Sequence, residues 1–249
     1  MREAELQREG VYVRKVTVTG SMTDADGIMS VLSIAKNMQE AAGDQLIDLG
    51  IGFDVTSGLN MLWVVVWSEF HFKRFPKTGE SVTFYTWPGK KMHWFYPRRA
   101  YVFDANGEEL AHGAYLWMLM DSETRKVTDD KGLLGVLPTL KIEGECKVPQ
   151  MKTDFPENLP ETCLRKVAPD EIDENGHVNN AHYLNWAMDV AKECGFGTAQ
   201  LKTIWINYKK EILPDDTVEL CYMKDGNLLC VAGSGIGEHH FIARLDFSA

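Results

Sequence analysis

Phe70-His71-Phe72-Lys73-Arg74, followed by Ser81-Val82-Thr83-Phe84, returns later in the chain as Ile206-Asn207-Tyr208-Lys209-Lys210 and Thr217-Val218-Glu219-Leu220, at one constant offset. Both copies consist of strand-like runs rich in β-branched and aromatic residues. The repeat extends outward from this core. Before the first copy come a strand signal over Val11–Thr19 and a helical face of Val31, Ile34, Ala35, Met38 and Ala42, with Gly43 placed as its stop. Gly50–Gly58 reads as a loop. Met61–Phe72, Ser81–Trp87, Trp94–Phe103 and Ala111–Met120 then read as a four-stranded antiparallel meander, with a hairpin turn at Asn106-Gly107.

The second copy repeats this layout. Leu164–Val167 is a short strand, and Tyr183, Trp186, Ala187, Val190, Ala191 and Cys194 recur at helical spacing before Gly195. Strands follow at Lys202–Tyr208, Thr217–Tyr222, Leu228–Gly233 and His239–Asp246, with a turn at Asp225-Gly226. One helix per antiparallel sheet, twice over, gives an α+β class with two units. Their expected bounds are 1–130 and 161–249, joined by a linker over 131–160 that Gly132, Gly135, Pro138, Gly144, Pro149, Pro156 and Pro160 punctuate.

The repeat is unequal where it matters. Asp173-Glu174-Asn175-Gly176-His177-Val178-Asn179-Asn180 precedes the second helix, whereas the first half offers only Thr23, Asp24 and Asp26, with no His or Asn. Glu211 stands where the first half has Phe75. On an extended backbone Asp173, Asn175 and His177 would share one face, and an acid, an amide and an imidazole on one face suit general acid–base chemistry. The plain alternative is a polar loop whose Asp and Asn cap the helix.

Asn175-Gly176-His177-Val178-Asn179-Asn180, continued by Tyr183-Leu184 and Trp186, resembles the N-x-H-V-N-N-x-x-Y-[IL]-x-W signature of acyl-acyl carrier protein thioesterases. Tyr208-Lys209-Lys210-Glu211 resembles that family's Y-R-R-E segment, and Leu62-Trp63-Val64-Val65, Phe75-Pro76 and Trp117-Met118-Leu119-Met120 are similar to its first-half landmarks. The resemblance implies a tandem hot-dog fold, two units each of a long helix wrapped by an antiparallel sheet. It implies hydrolysis of the thioester of fatty acyl-acyl carrier protein, which releases free fatty acid and ends chain elongation. The implied catalytic residues are Asp173, Asn175, His177 and Glu211. Glu211 or His177 would activate water or attack the carbonyl, Asn175 would orient the reacting group, and Asp173 would hold amide and ring. The helix start at Asn179 and Asn180 would face the oxyanion. The acyl chain would lie in the first unit, against Val31, Ile34, Met38 and Trp63. Ile212 follows Glu211 where the family often has Cys, which favours a carboxylate over a thiol. Alternatives are a non-catalytic acyl-thioester sensor and an acyl-coenzyme A thioesterase.

Composition narrows the partners. Lys plus Arg number 26 against 36 Asp plus Glu, a net charge of −10, which disfavours nucleic acid. The same charge repels an acidic carrier protein, so docking calls for local basic groups: Lys90-Lys91 with Arg98-Arg99, Arg125-Lys126, or Lys209-Lys210, of which strand alternation would expose only one. No apolar run reaches the roughly 20 residues of a membrane span. Five cysteines (Cys146, Cys163, Cys194, Cys221, Cys230) without CxxC spacing point to reduced thiols in the cytoplasm. His71, His93, His112, His182, His239 and His240 show no metal-ligand spacing, and adjacent strand residues such as His239-His240 point to opposite faces. Neither metal nor cofactor is expected, since the substrate carries its own phosphopantetheine. A homodimer is left open.

Overall fold

A computed structural model of the chain describes residues 1–130, 132–138, 140, 155–235 and 238–248. In chain order the elements are β1 (Tyr12–Thr17), α1 (Val31–Asp48), α2 (Phe53–Gly58), β2 (Met61–Phe72), β3 (Ser81–Pro88), β4 (Tyr96–Asp104), β5 (Glu109–Asp121), β6 (Glu161–Lys166), α3 (Asn180–Glu193), β7 (Leu201–Tyr208), β8 (Thr217–Asp225), β9 (Leu228–Ser234) and β10 (His239–Phe247). They divide into two compact units, Met1–Ser68 with Lys73–Pro149 and Glu69–Phe72 with Gln150–Ala249. Of the 131–160 stretch expected to link the units, residues 131, 139 and 141–154 lie outside the described residues. Within it, Leu133–Val136 forms a 3-10 turn, and Leu134 is buried against Ile51, Met61, Tyr96 and Leu119.

Strand order is β1-β3-β4-β5-β2 in the first unit and β6-β8-β9-β10-β7 in the second, the same path twice. The expected four-stranded meander is therefore shorter by one. Only β3, β4 and β5 follow one another, while β1 pairs antiparallel with β3 and β2 lies beyond β5. The cause is visible at the end of β2, where the N–H groups of Lys73 and Arg74 both donate to the Leu110 carbonyl. That bond draws the chain toward β5 and leaves no hairpin to β3.

Helix α1 packs Val31, Ile34, Ala35, Met38, Ala41 and Ala42 into the first core. It does not stop at Gly43 but runs on to Asp48, because Gln45 and Leu46 continue the inward face. Its stop is Gly50, with the Gly50 N–H on the Ile47 carbonyl and the Ile51 N–H on that of Leu46. Gly195 closes α3 in the same way, with its N–H on the Lys192 carbonyl and that of Phe196 on the Ala191 carbonyl. The segment read as a loop contains the short helix α2, braced by the Thr56 hydroxyl, which donates to the Phe53 carbonyl at 3.1 Å.

Strand β3 is buried along nearly its whole length, so its second face also needs cover. Leu6 supplies part of it, fully buried against Tyr85, Trp87, Tyr101 and Phe103. Burying one such side chain is worth about 1.5–3 kcal/mol. Arg98, expected on the surface, lies inside the first unit. Its Nη1 donates to Thr86 Oγ1 at 3.1 Å and its Nη2 to Gln45 Oε1 at 2.8 Å. Burial pulls its pKa down to about 9, so the guanidinium is charged at neutral pH. Among the described residues, no helix is long and apolar enough to cross a membrane.

Candidate active site

The stretch before α3 is a tight turn, which corrects the extended reading. Asp173 N–H donates to the His177 carbonyl at 2.8 Å, and Gly176 N–H to that of Asp173 at 3.0 Å. Asp173 Oδ1 accepts the Asn175 N–H at 2.9 Å. Gly176 takes φ +78°, which closes a three-residue loop at little steric cost. The loop puts Asp173 and His177 face to face at its neck and leaves Asn175 exposed at the tip. Ile172 bridges Val178 across the base.

Glu211 reaches this neck from the segment after β7. Its Oε2 lies 3.3 Å from His177 Nε2, with the two side chains 37% and 22% exposed, so the pair is open to a small molecule yet partly shielded. Three bonds fix the Glu211–Ile212 backbone. The Glu211 carbonyl accepts from His240 Nδ1 at 3.0 Å, the Ile212 N–H donates to the Tyr183 hydroxyl at 3.1 Å, and the Ile212 carbonyl accepts the Val178 N–H at 2.9 Å. Tyr183 is buried and stacks on Trp186 and Phe241, with centroids 5.4 and 5.2 Å away. Burial pushes its phenol far above the ordinary value, so it stays protonated.

Glu171 anchors the turn to α3. Its Oε1 accepts from the Trp186 indole at 2.7 Å and from Arg165 at 2.6 Å, its Oε2 accepts the Ala168 N–H, and its carbonyl accepts the Asn179 N–H. Asn179 caps α3, with Oδ1 accepting the Ala181 N–H at 3.0 Å while its carbonyl accepts that of His182. Both helix N–H groups are therefore engaged by Asn179, which leaves less of the helix start for an oxyanion than expected. Asn180 is the first residue of α3.

Residues 9–130 match the acyl-ACP thioesterase N-terminal domain and residues 163–241 the acyl-ACP thioesterase C-terminal domain. The chain belongs to the acyl-ACP thioesterase family. It is 22% identical to an acyl-[acyl-carrier-protein] hydrolase, chloroplastic, of Cuphea viscosissima, over 84% of this chain and 54% of that protein. To an oleoyl-acyl carrier protein thioesterase, chloroplastic, of Arabidopsis thaliana it is 25% identical, over 88% of this chain and 65% of that one. The chain thus spans between half and two thirds of the length of these relatives. The fold is that of an acyl-ACP thioesterase from Bacteroides thetaiotaomicron (TM-score 0.83, 18% identity, 96% of this chain and 98% of that one). It is also that of the 12:0-ACP thioesterase from Umbellularia californica (TM-score 0.77, 20% identity, 96% and 98%). The two units are accordingly hot-dog units.

Against the acyl-ACP thioesterase signature, the turn brings together His177 and Glu211, with Asp173 folded into the turn backbone. The Asn175 side chain makes no hydrogen bond among the described residues. Val31, Ile34 and Met38 are buried in the first unit, at 3%, 1% and 1% exposure, and Trp63 packs edge-on to Tyr96 at 5.2 Å. Sequence reasoning missed Tyr183, His240 and Glu171 as supports. Tyr183 stands in the signature, and strand alternation sends one of His239 and His240 inward without saying which one or onto what.

Proposed function

We propose that this chain hydrolyses the thioester between a fatty acyl group and acyl carrier protein, releasing the free acid and ending elongation of that chain. One observation carries the reading. His177 and Glu211 meet at 3.3 Å in the second unit, whereas the first unit has Ile28 at the same place in its turn and Phe75 in the segment after β2. A water held against this pair from the open side loses a proton to the carboxylate or the imidazole as its oxygen attacks the thioester carbonyl. The tetrahedral adduct then expels sulfur, which takes the proton back and leaves as the pantetheine thiol. On this reading Asn175, exposed at the tip of the turn, orients the incoming group. His177→Ala and Glu211→Gln should each lower kcat at least about a hundredfold while melting like the wild type, the scale of a lost acid–base group. Near-normal turnover in both would overturn the assignment. Running the assay in parallel on coenzyme A thioesters separates the carrier-protein reading from its nearest rival.

The acyl chain belongs, on this reading, along the α1 face of Val31, Ile34 and Met38, with Trp63 nearby in the same unit. Each buried methylene is worth about 0.8 kcal/mol. Ala35→Phe on that face should shift preference toward shorter chains, at an overpacking cost of about 1–3 kcal/mol. An unchanged chain-length profile in a folded variant would move the tail elsewhere. The four described cysteines are free thiols, in keeping with a reducing compartment such as the cytoplasm, which cell fractionation would test.

A further inference from the structure

We propose that His240 and Tyr183 are positioning residues that clamp the peptide between Glu211 and Ile212 and so set the Glu211 carboxylate against His177. The proposal rests on the reading of His177 and Glu211 as the working pair. Both polar ends of that one peptide are held by side chains. His240 Nδ1–H donates to the Glu211 carbonyl at 3.0 Å, and the Ile212 N–H donates to Tyr183 Oη at 3.1 Å. His240 is 8% exposed, Tyr183 3% and Ile212 0%, so water does not compete for these bonds.

The clamp answers a local need. The N–H groups of Lys209 and Lys210 both donate to the His240 carbonyl, two residues against one, which lifts the chain off the sheet just before Glu211. Beyond that bulge no strand ladder holds the backbone, and β7 ends at Tyr208. The His240 ring itself has a seat. A Cβ at Gly235 would run into His240 Nε2, so only glycine leaves room for the ring in this place.

The first unit is the internal control. It makes the same bulge, with the Lys73 and Arg74 N–H groups on the Leu110 carbonyl, which puts Leu110 at the position of His240. It makes the same turn, with Asp24 N–H on the Ile28 carbonyl and Gly27 N–H on that of Asp24. Met29 N–H donates to the Pro76 carbonyl as Val178 N–H does to that of Ile212, so Pro76, which has no N–H, stands for Ile212. Four residues after the helix caps Ser30 and Asn179 stand Ile34 and Tyr183. All three parts of the clamp are absent where the pair is Ile28 and Phe75. The fold forms without the clamp, so its presence beside His177 and Glu211 tracks the chemistry.

The test replaces His240 by Leu, its first-unit counterpart, and by Asn, whose amide keeps a donor near the Nδ1 position. A misplacement of about 1 Å costs on the order of a hundredfold in rate. In the full chain, with a saturated long-chain thioester of acyl carrier protein, H240L should lower kcat about 10- to 100-fold with KM within about twofold. H240N should recover most of that loss. Gly235→Ala, which displaces the ring, and Tyr183→Phe, which removes the acceptor, should behave like H240L and serve if H240L does not fold. A second readout does not depend on hydrolysis. The NMR titration curve of the His177 ring should move in H240L toward that of Glu211→Gln and stay with the wild type in H240N. Unchanged kcat and an unmoved His177 curve in folded H240L overturn the clamp. So does H240N as slow as H240L with the His177 curve unmoved, which would make His240 a packing residue. If Glu211→Gln itself kept full activity, the functional reading would fall, and the clamp would be judged on the titration alone.

Discussion

In the first unit Asp24 Oδ1 accepts the N–H groups of Asp26 and Ile28, and in the second Asp173 Oδ1 accepts that of Asn175. The carboxylate is thus present in the turn that has no working pair, where its task is to hold the backbone. Asp173→Asn keeps an oxygen acceptor in place and should leave kcat within about fivefold, whereas Asp173→Ala opens the turn, carries His177 with it and should lose tenfold or more. Equal losses in both would show that the negative charge itself takes part. Glu211 was legible in the sequence because its first-half counterpart, Phe75, is apolar, and His177 because the first half offers only Thr23, Asp24 and Asp26 before its helix, with no His. The shape of the turn was legible too, since Asn175-Gly176 is a turn dipeptide, but the alternation of polar residues drew the reading toward a strand. His240 was not legible. Its partner is a backbone carbonyl 29 residues away, and a carbonyl leaves no mark in a sequence.

At the scale of elements, Glu171 joins the turn to α3 and to Arg165 of β6. Burial would raise its carboxyl, but the Ala168 N–H, the Trp186 indole and the Arg165 guanidinium together hold it below the ordinary 4.5. A carboxyl lowered in the folded state stabilises the protein fully above its unfolded value and loses that contribution as pH falls through the folded value. Urea unfolding should therefore show wild-type stability dropping below about pH 4.5, with Glu171→Gln flatter there and weaker by about 1–3 kcal/mol at pH 7. Parallel curves for the two proteins would remove Glu171 from that role. Strand positions were readable from β-branched and aromatic runs alone. The pairing of β2 was not, because a bulge at Lys73 and Arg74 decides it, and the end of α1 was misjudged because Gly43 precedes the true stop at Gly50.

Across the whole molecule the net charge of −10 opposes an acidic partner. The basic groups that could offset it are fewer than the sequence suggested. Arg98 is buried, and Lys91 is paired with Asp129 at 2.6 Å. Lys209 and Lys210 are both exposed, since the bulge ends the alternation that would have hidden one, and Lys210 lies 3.4 Å from Glu238. Lys209 has no carboxylate within ion-pair distance among the described residues. Lys209→Glu should raise KM for carrier-protein thioesters several-fold, spare a small neutral thioester, and erase most of the salt dependence of the wild type. Equal losses on both substrates would mean that the lysine serves the site and not the docking. The proline at 76 has a further consequence for how such a doubled chain can change. Ile28→His with Phe75→Glu would place the two side chains on the first unit's turn but leave them without ring, phenol or N–H to steady them. A side chain can be exchanged one position at a time, whereas proline subtracts a donor from the main chain itself. The two units therefore differ at five positions at once, Ile28, Ile34, Phe75, Pro76 and Leu110, and no single substitution gives the first unit the arrangement of the second.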